Sequence, residues 1–248
     1  MFIPNRRRLH RLKMLRLLDE AETAIGPATS LYVPLGLPIP EVEEMLRVVP
    51  NLKEIPPNLT ELVSDSKTGA VLFWGQQLKY LVLPPFPLAE RQASDGYEVE
   101  PLRSLLRRES MIALTLVRLG DYALGVFQGE KRVSSKVGTG LVHSRHKKGG
   151  SSQRRFERHR EKQIEYLFDR VCTHVREHLE PHIRQLEYVI YGGEWNTLAA
   201  FRKQCRFLQL FEDRTLGSVL NIRKPRQATL EAAIGEAWSS ELIEWTES

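Results

Sequence analysis

The sequence has no apolar run near the roughly 18 residues that a membrane-crossing helix needs, so no spanning helix is expected. No apolar segment follows the basic residues of Met1-Phe2-Ile3-Pro4-Asn5-Arg6-Arg7-Arg8, so a secretory signal is not expected. The same start is Arg-rich and free of acids up to Asp19, as an organellar presequence is, but it is poor in Ser. A cytoplasmic chain is therefore the expectation. Only two cysteines are present, Cys172 and Cys205, too few for a disulfide framework. They are expected to be reduced, mostly buried thiols. A Gly-x-Ser-x-Gly elbow, a Walker loop and a dinucleotide-binding glycine fingerprint are all missing. Those absences exclude the common nucleophile-elbow hydrolases, P-loop NTPases and nicotinamide enzymes.

What is present is the composition of a folded chain: 248 residues, 42% hydrophobic and 27% charged. The net charge of +5 is unevenly placed. Residues 131–160 hold ten Lys or Arg and one acid, Glu157, so this window carries +9 and the remainder −4. A second cluster, Arg6, Arg7, Arg8, Arg11, Lys13 and Arg16, precedes the first acid. Localised positive charge is the footprint of a polyanion, here nucleic acid; a merely solvated face would interleave acids with the bases.

Apolar spacing suggests the elements. Leu9, Leu12, Leu15 and Leu18 predict a basic amphipathic helix over 7–24, closed by Gly26-Pro27. Short strands are expected at 30–34, 70–74 and 79–83, a helix start at 40–48, a loop over 51–66, a linker over 89–98 and a helix over 99–108. A meander follows: 111–119, a turn at Gly120-Asp121, 122–128, a turn at Gly129-Glu130, then 132–137. Residues 138–150 read as a basic, mobile loop. Phe156, Ile164, Leu167, Phe168, Val171, Val175 and Leu179 mark a long helix, with Ser151 or Ser152 as its N-cap. Strand, helix, strand, helix then complete an α/β fold with a mixed sheet.

Two stretches invite a chemical reading. His174-Val175-Arg176-Glu177-His178 fits the H-x-x-E-H form of some zinc peptidases, with His182 a turn further on. Arg176 and Arg184 make the region basic and no third acidic ligand follows, so a solvated helix face with no metal is the expectation. The second stretch is His146-Lys147-Lys148-Gly149-Gly150-Ser151-Ser152-Gln153-Arg154-Arg155. Its glycines let backbone approach a ligand, and a helix beginning beside them leaves N–H groups unpaired. On these residues alone it is equally a flexible basic loop.

Gly150-Ser151-Ser152-Gln153 resembles the glycine–glycine–glutamine loop of the eukaryotic and archaeal class I peptide-chain release factors. It is closer to the Gly-Ser-x-Gln tip of their quality-control relatives, the Vms-like release factors. The likeness extends to Tyr188-Val189-Ile190-Tyr191-Gly192-Gly193, and to Phe211-Glu212-Asp213-Arg214-Thr215-Leu216 with Val219-Leu220. Upstream it is weaker, at Ser30-Leu31-Tyr32-Val33-Pro34 with Glu41-Val42, and at 69–74 with Pro85-Phe86-Pro87-Leu88. The tip departs from strict Gly-Gly-Gln. Too few residues separate Glu44 from Gly69 for the codon-reading hairpin, and the GTPase-contacting third domain is not expected before Ser248.

The resemblance implies a release-factor-like catalytic domain over 108–248 behind a reduced N-terminal α/β region over 1–107. It implies hydrolysis of peptidyl-tRNA on stalled ribosomal complexes, independent of a stop codon and without a cofactor or metal, by a monomer that touches no membrane. Gln153 would act with Gly149, Gly150, Ser151 and Ser152. Arg145, His146, Lys147, Lys148, Arg154, Arg155 and Arg158 would contact the RNA of peptidyl-tRNA and the large ribosomal subunit. Two alternatives stay open: a ribosome- or tRNA-binding module without hydrolysis, and a nuclease acting near the tRNA 3′ end. The second sits poorly with a window so short of carboxylates.

Overall fold

The structure is a computed structural model that describes residues 2–50, 56, 58–143 and 151–247. In chain order its elements are β1 (Phe2–Leu9), α1 (Arg11–Glu22), β2 (Ala28–Val33), α2 (Ile39–Leu46), α3 (Leu59–Ser64), β3 (Ala70–Gly75), β4 (Lys79–Leu83), β5 (Gln92–Asp95), α4 (Glu100–Arg107), β6 (Met111–Arg118), β7 (Asp121–Gln128), β8 (Lys131–Thr139), α5 (Ser151–Leu179), β9 (Leu186–Gly193), α6 (Trp195–Gln204), β10 (Thr215–Leu220), α7 (Gln227–Ala237) and β11 (Ser240–Glu247). Short 3-10 segments follow α5 and α6, at Glu180–His182 and Arg206–Arg214. The fold is α/β. The chain forms two compact units, one of residues 1–108 with 235–248 and one of 109–234.

The first unit is built on an antiparallel sheet ordered β1-β11-β4-β3-β2-β5. Its inner strands are buried on both faces, and the period of two sorts their side chains into two cores. Leu31, Val33, Leu72, Trp74, Leu81, Ile243 and Trp245 join α2 and α3 on one side. Tyr32, Val71, Phe73, Tyr80, Val82 and Leu242 join α1 and α4 on the other. Arg103 of α4, almost fully buried, reaches Asp19 and Glu22 of α1 and its own Glu100 at 3.2, 2.5 and 2.8 Å. Glu22 and Glu100 hold its guanidinium well above its ordinary pKa.

Several expectations change here. Residues 7–9 belong to β1, and the helix starts at Arg11. A strict spacing of three walks around a 3.6-residue helix, so the four leucines cannot share a face. Met14, Leu18 and Ala21 form the buried stripe instead, and Leu12 is 69% exposed. The 51–66 loop contains α3, and the 89–98 linker contains β5. The catalytic region was expected to run unbroken to 248, but residues 235–248 return to the first unit, where β11 pairs with β1 and β4. β11 and the end of α7 answer the first three bases of the N-terminal cluster. Arg6, Arg7 and Arg8 form ion pairs with Glu241, Glu244 and Glu236. The acids that interleave with these bases come from more than 220 residues away.

The second unit is built on a mixed sheet ordered β10-β9-β6-β7-β8. β6, β9 and β10 run parallel, and β6, β7 and β8 form an antiparallel meander. The first turn of the meander is Leu119-Gly120, one residue earlier than expected, because Arg118 pairs with Asp121. Gly120 supplies the positive φ, +104°, at the second turn position. One face of the sheet carries α5, α6 and the following 3-10 segment in a single core. On the other face, Leu230 of α7 lies close above Gly125. The β11 assignment gives a direct test. Leu242→Ala should lower unfolding free energy by about 2–5 kcal/mol. Glu241→Ala, which loses only the pair with Arg6, should cost no more than about 1 kcal/mol. Equal effects in urea unfolding would contradict the burial of β11.

Candidate functional site

The long helix α5 divides in two. Leu167, Phe168, Val171, Val175 and Leu179 recur at three- and four-residue intervals and are all buried in the sheet core. None of the described side chains from Gln153 to Tyr166 is buried. Phe156, expected to continue the apolar stripe, is 61% exposed. At 1.5 Å per residue, the largely exposed stretch from Gln153 to Tyr166 is about 21 Å long, with Ile164 near its end partly buried against the core.

The strand entering this arm is fastened to it. Arg170 donates to the Thr139 carbonyl at 3.0 Å, and Arg160 to the His143 carbonyl at 2.9 Å. The His143 N–H donates to the Gln163 carboxamide oxygen at 3.0 Å. Gly140 packs on Leu167, whose terminal methyl a Cβ there would have to displace, and its N–H donates to the Gly120 carbonyl at 2.8 Å. Residues 139–143 therefore run along the helix. The expected loop is shortened from its N-terminal side, because β8 extends to Thr139.

Arg145, His146, Lys147, Lys148, Gly149 and Gly150 lie outside the described residues. Ser151 and Ser152 open α5, so Gln153 is its third residue, set in the first helical turn and half-buried. Its backbone N–H is among the first four of the helix, which have no intrahelical acceptor. Its side-chain Nε2 donates to Glu157 Oε1 at 3.0 Å. Sequence reading missed Glu157 as a partner, although the i, i+4 spacing signals it. Arg154, Arg155 and Arg158 are exposed on the first two turns. The first turn has no acid, contrary to the usual preference for negative charge at a helix N-terminus. That end is thus electrostatically suited to an external anion.

The histidines of the H-x-x-E-H stretch have other engagements. His174 Nδ1 lies 2.7 Å from the Tyr122 hydroxyl, with the two rings stacked. His178 Nδ1 lies 3.1 Å from Ser134 Oγ. Burial pushes His178 below the ordinary imidazole pKa, against the pull of Glu177 and aided by His174 and Lys136. Among the described residues no group of three or more His, Cys, Asp or Glu is placed to hold a metal ion.

A covalent tie also anchors α5. Cys172 of α5 and Cys205, just after α6, form a disulfide, which corrects the expectation of two free thiols. Counting cysteines could not reveal that two helices on one sheet face bring this pair together. Gln204, beside it, donates to Asp169 Oδ1 at 2.6 Å and to the Glu165 carbonyl at 3.1 Å.

A model described as the Actinobacteria/chloroflexi VLRF1 release factor matches residues 110–243, more than half of the chain. The chain belongs to the VLRF1 release-factor family. Further similarity is to peptide chain release factor subunit 1 of Aeropyrum pernix, 26% identical over 211 residues, covering 73% of this chain and 57% of that one. The same protein of Saccharolobus solfataricus is 24% identical over 226 residues, covering 79% and 61%. The chain thus spans somewhat more than half the length of these relatives. The crystal structure of an archaeal translation termination factor, aRF1, aligns over 93% of this chain and 73% of that one, at 17% identity and a TM-score of 0.40. The VLRF1 match includes α5, its disulfide and the sheet that holds them. With a 33-residue separation, that disulfide should contribute on the order of 3–4 kcal/mol. Cys172→Ser should lose this stability, and dithiothreitol should lower the wild type to the same level while leaving the variant unchanged. Identical urea unfolding of the wild type with and without reductant would contradict the pairing.

Proposed function

We propose that this member of the VLRF1 family hydrolyses the ester joining a nascent peptide to tRNA on stalled large ribosomal subunits. The observation that carries the reading is the largely exposed N-terminal half of α5. It presents Gln153, Arg154, Arg155 and Arg158 at the end of a helix whose other half is buried in the sheet core. On this reading the 144–150 segment, with Arg145, His146, Lys147, Lys148, Gly149 and Gly150, enters the peptidyl-transferase centre together with Ser151, Ser152 and Gln153. The basic residues contact phosphates of tRNA and large-subunit rRNA, which sets affinity more than chemistry.

In the reaction, water adds to the ester carbonyl, the bond to the 3′ oxygen breaks, and that oxygen leaves with a proton as the tRNA hydroxyl. The products are a free peptide acid and intact tRNA. Negative charge grows on the carbonyl oxygen and the departing 3′ oxygen, and fixed N–H donors stabilise it without a side-chain base. The Gln153 N–H serves the 3′ oxygen. Glu157 holds the Gln153 amide through Nε2, which leaves Oε1 to accept a hydrogen bond from the attacking water. The ribose hydroxyl of the substrate and rRNA supply the remaining contacts. The reading requires no cofactor, and the protein acts as a cytoplasmic monomer.

Independence from a stop codon is part of the proposal. Between Glu44 and Gly69 the described residues hold the end of α2 and one short helix, α3, whose Leu59 and Val63 are buried in the sheet core with Val42, Met45 and Leu46 of α2. Among the described residues these elements support the sheet, and we assign none of them to reading mRNA. Two variants separate the roles of Gln153. Gln153→Ala keeps the N–H and loses the amide, so release should slow roughly 10- to 100-fold. Gln153→Pro also removes the N–H at a first-turn position that tolerates proline, so release should fall further. Thermal unfolding should change little in either. Wild-type release by Gln153→Ala in a single-turnover assay on peptidyl-tRNA-bearing large subunits would overturn the mechanism.

A further inference from the structure

The sheet edge from which the arm departs carries a second cationic surface. β6, β9 and β10 all end there. The register pairs Gly192 with Leu220 and Val117 with Gly193. Trp195 and Arg223 therefore each lie three residues beyond a matched pair on neighbouring strands, and Arg118 lies one residue beyond its own. Trp195, the first residue of α6, is 66% exposed.

The segment after β10, Asn221-Ile222-Arg223-Lys224-Pro225-Arg226, alternates in burial. Ile222 and Pro225 are buried, while Arg223, Lys224 and Arg226 are exposed. Its backbone is fixed at both ends. Arg118 donates to the Arg223 carbonyl at 3.0 Å, and the Thr229 hydroxyl donates to the Lys224 carbonyl at 2.7 Å. Among the described residues Arg223 and Arg226 form no ion pair, and Lys224 meets Asp121 only at 3.9 Å. Glu194, a further carboxylate at this edge, accepts from Thr197. Both the basic segment and the arm are anchored on one turn. Arg118 and Asp121 flank Leu119-Gly120, and the Gly120 carbonyl accepts from Gly140 at the root of the arm. The two cationic features thus hold a fixed relation within this unit.

We propose that Arg223, Lys224, Arg226 and Trp195 form a second RNA-contacting surface at the root of the arm, distinct from the residues at its tip. The three cations grip consecutive phosphates of folded RNA, and the exposed indole stacks on an unpaired base beside them. A pinned loop suits this role, because holding its bases in place costs little ordering entropy on binding. The inference rests on the ribosomal reading above and deepens it: a tip contact alone leaves the arm free to pivot, and a second contact at its root fixes its direction.

The test uses the full chain and purified large subunits carrying peptidyl-tRNA, with affinity measured across a salt series and hydroxyl-radical footprinting of the RNA. The combined variant Arg223→Ala, Lys224→Ala, Arg226→Ala should weaken binding and flatten the log–log salt slope by about 0.7–0.9 for each phosphate that is no longer neutralised. It should expose one protected RNA segment while leaving the segment covered by the arm protected. Trp195→Ala should weaken binding roughly fivefold or more with the salt slope unchanged, and Trp195→Phe should restore most of it. The comparison variant is Arg154→Ala, Arg155→Ala, Arg158→Ala. If it weakens binding while the root variant leaves affinity, slope and footprint at wild-type values, the root surface is wrong and the ribosomal reading stands. Weaker binding by the root variant with no RNA segment uncovered would assign this surface to a protein partner and overturn the proposal. No binding of the wild type to large subunits would overturn both.

Discussion

Leu167, Phe168, Val171, Val175 and Leu179 hold one half of α5 against the mixed sheet, and everything proposed for the other half depends on that grip. Five such side chains, each worth about 1.5–3 kcal/mol on burial, contribute on the order of 10 kcal/mol before entropy is counted. The disulfide to Cys205, the Gln204 bonds and the Arg170 and Arg160 bonds to the incoming strand add to it. A helix held this firmly over its second half keeps the direction of its first half, because one α-helix bends little without proline or glycine. The anchor therefore sets where Gln153 lies relative to the sheet.

Charge follows the same division. The N-terminal cluster of Arg6, Arg7 and Arg8 is answered by Glu241, Glu244 and Glu236, so it contributes to joining β1 with the chain's last elements. The arm places Arg154, Arg155 and Arg158 in solvent at a helix end without an acid in its first turn. Two basic clusters that look alike in sequence thus differ in what neutralises them. The difference appears only once residues far apart in the chain are brought side by side.

The meander, α4, the second half of α5 and the strands β2, β3 and β4 were legible from apolar period and turn residues. What was not legible depended on distant partners. β1 and β11 define each other across the whole chain, and the bases of β1 masked its alternation. β5 is four residues, three of them polar, paired to the edge of β2, and Ala93 alone gives no apolar period. The cysteine pairing needed the packing of α5 against α6. At the candidate site, the motif located Gln153 and its basic neighbours. Its placement inside the helix, and its bond to Glu157, came only from seeing the helix begin at Ser151. The basic segment after β10 was overlooked because three cations among a balanced remainder do not stand out until the sheet edge gathers them.

The central claim is ester hydrolysis at the tRNA 3′ end, carried by the tip of α5. The most direct measurement is to incubate the protein with large subunits bearing labelled peptidyl-tRNA, then separate free peptide, full-length tRNA and shortened tRNA. The account predicts free peptide together with full-length tRNA, at equal rates whether the stalled complex came from a sense codon or a stop codon. Peptide still attached to a shortened tRNA, or stable binding with no product, would contradict it.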